Sequence, residues 1–404
     1  MVTGENRGPL AGIRILETSN VVAGPTACQI LGDFGAEIIK VEHPNGGDGM
    51  RRQGFVKGES SIWWRLVGRN KRSVGMYLGD PDAAKVFLEL VKTADVVVEG
   101  FRPGTFEKWG LGYDVMSAVN PGLIFARLSG FGQNGPYASR PAFGTLIESM
   151  SGFASLTGEP DGAPTLPPFA MADYVAGISL VGAITMALYN RDARGGKGQV
   201  IDVSVFEPLM STLGAAIVRT DQLENYREPR TGNRSINTAP RNVYPTKDDK
   251  WVGVSAATNE LAARIIELCG RPDLVNEPWF KSGRGRVDQN DLLDEVVGNW
   301  IKERTRDEVM ALAEKAEVTF APIYEVAEMM EDPHIKATQM VTTVKDPQLG
   351  DIRMPNVLFR MSETPGSIRW TGPALGNATN EILVDELGID AATLQPLRER
   401  GALL

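Results

Sequence analysis

Between Gly12 and Val205 short β-branched runs alternate with helix-patterned stretches, and this rhythm restricts the fold more than any other feature of the chain. Neighbouring parallel strands need a long crossover, usually a helix, so such alternation builds a sheet with helices on both faces. Six runs fit strands, at residues 13–16, 37–41, 73–76, 95–98, 123–126 and 200–203. Asp80-Pro81 opens a helix with a capping carboxylate and a first-turn proline, and Val86, Phe87, Leu90 and Val91 then share one face. The expected fold class is α/β, with a doubly wound, Rossmann-like parallel sheet and a smaller α/β domain.

At residue 225 the composition turns to Arg, Asn, Thr and Pro and keeps that character to 242, as in a mobile connection. This places a large domain at residues 1–224, a linker and small domain at 225–329, and a return to the large domain at 330–404. In the small domain a strand is expected at 251–255, a helix at 259–268, and two helices across 292–316 separated at Thr305. Strands return at 340–344 and 351–354, followed by a weakly structured tail toward Leu404.

The 404 residues carry 42 Lys and Arg against 51 Asp and Glu, a net charge of −9, which gives nucleic acid binding no electrostatic support. The polar N-terminus, Met1 to Gly8, lacks the apolar stretch of an export signal, so a cytoplasmic location is expected. The apolar stretch 175–189 is shorter than the ~20 residues that cross a bilayer and reads as a buried helix, with no membrane partner. Cys28 and Cys269 fit small buried hydrophobes in a reducing compartment, and no HExxH or CxxC spacing suggests a metal site.

Gly130-Phe131-Gly132-Gln133-Asn134-Gly135 has the spacing of a dinucleotide fingerprint, yet Pro136 follows where a helix should open, so it reads as a turn-rich loop. Arg194-Gly195-Gly196-Lys197-Gly198 lacks the Ser or Thr of a phosphate loop. His43 ends a strand in a glycine-rich loop where α/β proteins bind ligands, whereas His334 reads as an ordinary helix-start residue. Taken alone, Lys71-Arg72 and Arg102 read as solvated loop charges. Asp173, in Ala170-Met171-Ala172-Asp173-Tyr174, has two readings: a cap for the following helix, or a nucleophile that needs no base.

Several ordered stretches then match one family: residues 9–17, Ala23-Gly24-Pro25, 31–42, Asn70-Lys71-Arg72-Ser73, 95–104, 128–136 and 195–199. Over almost its whole length the chain resembles the family III CoA-transferases, the CaiB/BaiF group that includes formyl-CoA transferase. The resemblance implies CoA transfer between carboxylic acids, with Asp173 as covalent nucleophile and Gly177 four residues on. It implies that Arg102 and Lys108 hold the nucleotide end of CoA, and that Val22, Ala23, His43, Met76, Leu78, Gly100, Phe101 and Leu128 line the CoA channel. It further implies no tightly bound cofactor, acyl-CoA and a carboxylic acid as substrates, and a homodimer of interlocked rings.

Two departures from the family sharpen this. The sister α-methylacyl-CoA racemases carry a Gly-His-Asp motif where this chain has Ala142-Phe143-Gly144, and Phe143 cannot move a proton. The glycine-run flap of formyl-CoA transferases is replaced by residues 233–242, whose arginines, with Arg51-Arg52, could pair with the second carboxylate of a C4–C5 diacid such as succinate, malate, citramalate or mesaconate. The alternatives to a CoA-transferase are a racemase-like isomerase and a non-catalytic CoA-binding relative.

Overall fold

The computed structural model describes residues 8–58 and 60–404; the N-terminal stretch read for an export signal lies outside them, Gly8 excepted. The chain divides into two compact units, one formed by residues up to 153 with 167–214 and 339–404, the other by 154–166 and 215–338.

In the first unit β1 (Arg14–Glu17), β2 (Glu37–Glu42), β3 (Lys71–Gly75), β4 (Val96–Glu99), β5 (Ile124–Ser129) and β6 (Val200–Ser204) form one parallel sheet. Their order is β3-β2-β1-β4-β5-β6. Helices α1 (Ala23–Asp33), α2 (Pro81–Val91), α3 (Gly144–Met150) and α4 (Met171–Arg194) supply residues to the cores on its two faces. Strand side chains alternate between these cores. Leu16, Val97 and Phe125 join α2 on one face, while Ile15, Val96, Val98 and Ile124 join α1 and α4 on the other. Asp80 caps α2 as expected, accepting the Asp82 and Ala83 N–H groups.

The expected six strands are all present, displaced by no more than a few residues. The apolar stretch 175–189 is helical, but its burial is one-sided. Ala176, Leu180, Ile184 and Leu188 are buried, whereas Ile178, Met186 and Tyr189 are exposed. By length and composition α4 also satisfies the criteria for a membrane span, which a core helix of a soluble protein does equally.

Two expectations need correction. Lys71 is no solvated loop charge: it lies in β3 with no exposure, its Nζ 2.7 Å from Glu17 Oε2 and 2.9 Å from Pro25 O. Arg72 beside it pairs with Glu37 and Glu386, each at 2.6 Å. The tail is also more ordered than expected. Ala378, Ile382, Leu383, Leu394, Leu397 and Leu403 enter the core beside α2, and Asp390 caps a helix at Ala391–Glu399. Its apolar residues come in short groups broken by Gly and Pro, too brief for a periodic signal, so tertiary packing rather than pattern fixes it.

The hairpin β10 (Val341–Asp346) and β11 (Gly350–Pro355) completes the first unit. The second unit is built on an antiparallel sheet in which β8 (Trp251–Ser255) lies between β7 (Arg241–Pro245) and β9 (Phe320–Pro322). Helices Asn259–Leu268 and Arg306–Lys315 pack on it around Ile265, Val297 and Val309, the second opening with a Thr305–Glu308 capping box.

Candidate active site

The chain winds from β1 outward through β2 and β3, then returns to place β4 on the other side of β1. The segments leaving β1 and β4 therefore diverge, and an α/β sheet binds its ligand at the carboxyl edge of such a switch point. Here the two segments touch. A Cβ at Gly100 would come within 3.1 Å of Ser19 Cβ, a tight contact that glycine avoids. Glu99 fixes the next turn, accepting the Phe101 N–H at 2.7 Å and Arg127 Nε at 2.8 Å. Burial pushes the Glu99 carboxyl up to about 6 against the opposing pull of Arg127.

A cleft opens from this point, walled by Gly100, Phe101, Arg102, Ser129 and Gly130 on one side and by Arg140, Ala142 and Phe143 on the other. The loop 138–142 is pressed onto Gly130, where a Cβ would overlap Ala142 Cβ. The glycine-rich motif is thus a turn-rich loop, with Gly132 and Gly135 at positive φ and the Gln133 N–H donated to Asp202 at 2.9 Å.

Behind Phe143, at the start of α3, the Gly144 N–H donates to the Asp173 carboxylate. A Cβ at Gly144 would lie 2.5 Å from Asp173 Oδ2, so the carboxylate occupies the space a side chain would take. Asp173 does not cap its own helix: the cap position is Ala170, and Glu148 Oε1 accepts the Ala172 N–H at 3.1 Å. No cation forms an ion pair with Asp173 among the described residues. Burial and then the Glu148 charge push its carboxyl from 3.8 up to about 6. It nonetheless keeps some exposure and is not sealed in the core.

Gly177, one turn on, brings α4 against α1, since a Cβ there would lie 2.7 Å from Ala23 O. Val22 and Ala23 at the start of α1 are thereby beside the first turns of α4. Gly100, Phe101 and Arg102 lie in the cleft wall, and Leu128 is a buried residue of β5. Met76 and Leu78, which follow β3, have side chains in the core beside Leu403. His43 leaves β2 exposed, its ring 4.7 Å from that of Tyr77, and Lys108 is exposed at the end of a short helix. All ten thus end or follow a strand at the sheet's carboxyl edge, yet only three wall the cleft.

Two of the arginines expected to face a substrate carboxylate are already engaged. Arg51 is held by Glu42 at 2.6 Å and lies over Trp64, and Arg234 pairs with Asp291 and Asp294 at 2.7 Å each. Sequence reasoning also passed over Gly144 and Glu148. Their signal is a lone carboxylate in the apolar run Leu146-Ile147-Glu148, one helical turn after a glycine.

Comparison with known proteins places the chain in a family. The family model described as CoA-transferase family III matches residues 10–379. The chain is 40% identical over 395 residues to succinyl-CoA–D-citramalate CoA-transferase of Chloroflexus aurantiacus, covering 96% of this chain and 98% of that protein. It is 30% identical to human succinyl-CoA:glutarate CoA-transferase, covering 98% and 90%. The crystal structure of a CaiB/BaiF family protein from Brucella suis superposes with a TM-score of 0.82 at 31% identity, covering 94% and 99%. The chain belongs to CoA-transferase family III.

Proposed function

We propose that this enzyme moves CoA from a succinyl-CoA-like donor to a C4–C5 dicarboxylic acid through covalent intermediates on Asp173. The observation that carries the reading is a carboxylate held by the N–H of Gly144, the residue next to Phe143 of the cleft wall, with no cation paired to it among the described residues and no helix end to cap. The substrate class rests on the relatives named for citramalate and glutarate.

Four exchanges balance without net proton transfer. An Asp173 oxygen attacks the thioester carbon, the C–S bond breaks, and CoA thiolate leaves an aspartyl–acyl anhydride. The thiolate attacks the Asp173 carbonyl carbon and releases the donor acid, leaving an aspartyl-CoA thioester. An acceptor carboxylate oxygen displaces the thiolate again, and the thiolate then attacks the acceptor's acyl carbon, freeing Asp173. The proposal also includes Arg102 and Lys108 as partners of the CoA phosphates, the other channel residues along its pantetheine arm, and CoA as a substrate with no resident cofactor. A cytoplasmic homodimer completes it, for which the exposed Ile178, Met186 and Tyr189 supply apolar surface.

Incubation with succinyl-CoA, hydroxylamine trapping and peptide mass spectrometry should label Asp173. Asp173→Asn should lose the label and about 10⁴-fold or more of the transfer rate while still binding CoA. An active Asp173→Asn enzyme ends the covalent reading, and equal turnover of butyrate and succinate as acceptors ends the dicarboxylate one.

A further inference from the structure

We infer that Glu148 is the positioning residue of this site: its buried carboxylate orients the first turn of α4 and, by its charge, drives Asp173 toward the acylated state. The inference rests on Asp173 being the nucleophile.

Glu148 is 2% exposed, one helical turn after Gly144 on α3. The same short helix thus contributes the N–H that holds Asp173 and the carboxylate that accepts the Ala172 N–H. A negative charge at a helix N-terminus is favourable, which offsets part of the cost of burying Glu148 there. Its cost falls on the neighbour. Asp173 is a charged carboxylate when free and neutral at the same atoms when it is an anhydride or a thioester. Repulsion from Glu148 therefore raises the energy of the free form alone, and what favours a proton on that oxygen favours an acyl group too.

The surroundings leave Glu148 as the charge that acts. On α4 the next ionised groups are Arg191, Asp192 and Arg194, at the far end. The first turn of α1 bears none. The charges beneath α1, Glu17, Lys40 and Lys71, are paired with one another. On the helix Phe206–Ser211, packed against α3 and α4, Glu207 is engaged by the Ser204 hydroxyl at 2.7 Å.

Glu148→Gln keeps the acceptor for Ala172 and removes the charge; Glu148→Asp keeps the charge and shortens the reach. The acid limb of kcat/KM reports the free enzyme. In Glu148→Gln it should move down by about one pH unit, and the aspartyl-CoA thioester trapped from succinyl-CoA should fall several-fold, with Tm nearly unchanged. Glu148→Asp should keep the wild-type limb, and this variant decides the matter if Glu148→Gln does not fold. An unmoved limb and undiminished thioester in Glu148→Gln, or the same downward move in Glu148→Asp, overturns the inference. If wild-type enzyme gives no Asp173 label at all, it is the nucleophile reading that has failed instead.

Discussion

Two groups of acids with little access to solvent lie in the first unit, and they behave oppositely. Beneath α1, Glu17, Glu42 and Asp48 are each no more than 4% exposed. Lys40 Nζ stands 2.6 Å from Asp48 Oδ2 and 2.9 Å from Glu17 Oε1, and it also donates to Ser19 O. Lys71 takes the other oxygen of Glu17, and Arg51 and Ser73 take Glu42. Burial alone would push the Asp48 carboxyl up, but the Lys40 ammonium more than reverses it and leaves it below its ordinary value. Glu42 follows the same course through Arg51. At the start of α4, Glu148 and Asp173 have backbone N–H donors and, among the described residues, no paired cation, and Asp173 is pushed up. Burial is common to both groups; the cation decides whether a carboxylate is a staple or a reagent.

The comparison breaks most severely if its cation is removed. Lys40→Met should leave Glu17 and Asp48 buried with one positive partner fewer, a defect that costs about 3–5 kcal/mol because an uncompensated buried charge remains. Asp48 also holds the Val21 N–H at 3.0 Å, and Val21 is a β-branched residue at φ +70°. Losing this anchor releases the turn into α1. Urea unfolding of the intact protein measures the loss, and a change below about 1 kcal/mol would show that the cluster does not act as a staple.

At the other group geometry should matter more than charge balance. Gly144→Ala puts a methyl 2.5 Å from where Asp173 Oδ2 now lies, so the carboxylate must turn away or α3 must shift. A displacement of about 1 Å at a reacting atom costs on the order of 10²-fold, and kcat should fall by ten- to a hundredfold with little change in Tm. Wild-type kcat in Gly144→Ala would mean the carboxylate is free to rotate, and that the glycine is not what aims it.

These two groups were unequally legible in the sequence. The sheet announced itself because a strand buried on both faces, such as Val96-Val97-Val98, is a continuous apolar run, and because Asp80-Pro81 is a local capping signal. Asp173 could be singled out, though its two readings could not be separated: whether it caps α4 depends on Glu148, 25 positions earlier, taking that task. The Lys40–Glu17–Lys71 cluster was invisible for the same reason. Each charge is ordinary in its own strand; only the register of β1 with β2 sets Glu17 beside Lys40, and Lys71, paired with Ile38, reaches Glu17 across β2. Strand existence is a local property, whereas ionic pairing belongs to the assembled sheet.

The smallest expected effect tests both groups in one titration. Asp173 has its carboxyl at about 6 in the fold against 3.8 ordinarily, so the fold holds its proton more tightly than the unfolded chain does. The stability this gives is complete below about pH 4 and is lost as pH rises through 6. A shift of this size corresponds to about 3 kcal/mol at most, and about 1–2 kcal/mol once partial solvent access is allowed for. Asp173→Asn, which cannot ionise, should therefore be more stable than wild type at pH 8 by that amount and equal to it near pH 4. Asp48 and Glu42 have the opposite sign, because their lowered values give stability that is present above the ordinary carboxylate range and lost as pH falls through their values in the fold. Both proteins should then weaken together in acid, since Asp173→Asn leaves the Lys40 cluster intact. The gap between their melting temperatures should open between pH 4 and 7 and stay constant above, and curves that run parallel across that window would mean that Asp173 ionises in the fold as it does in water.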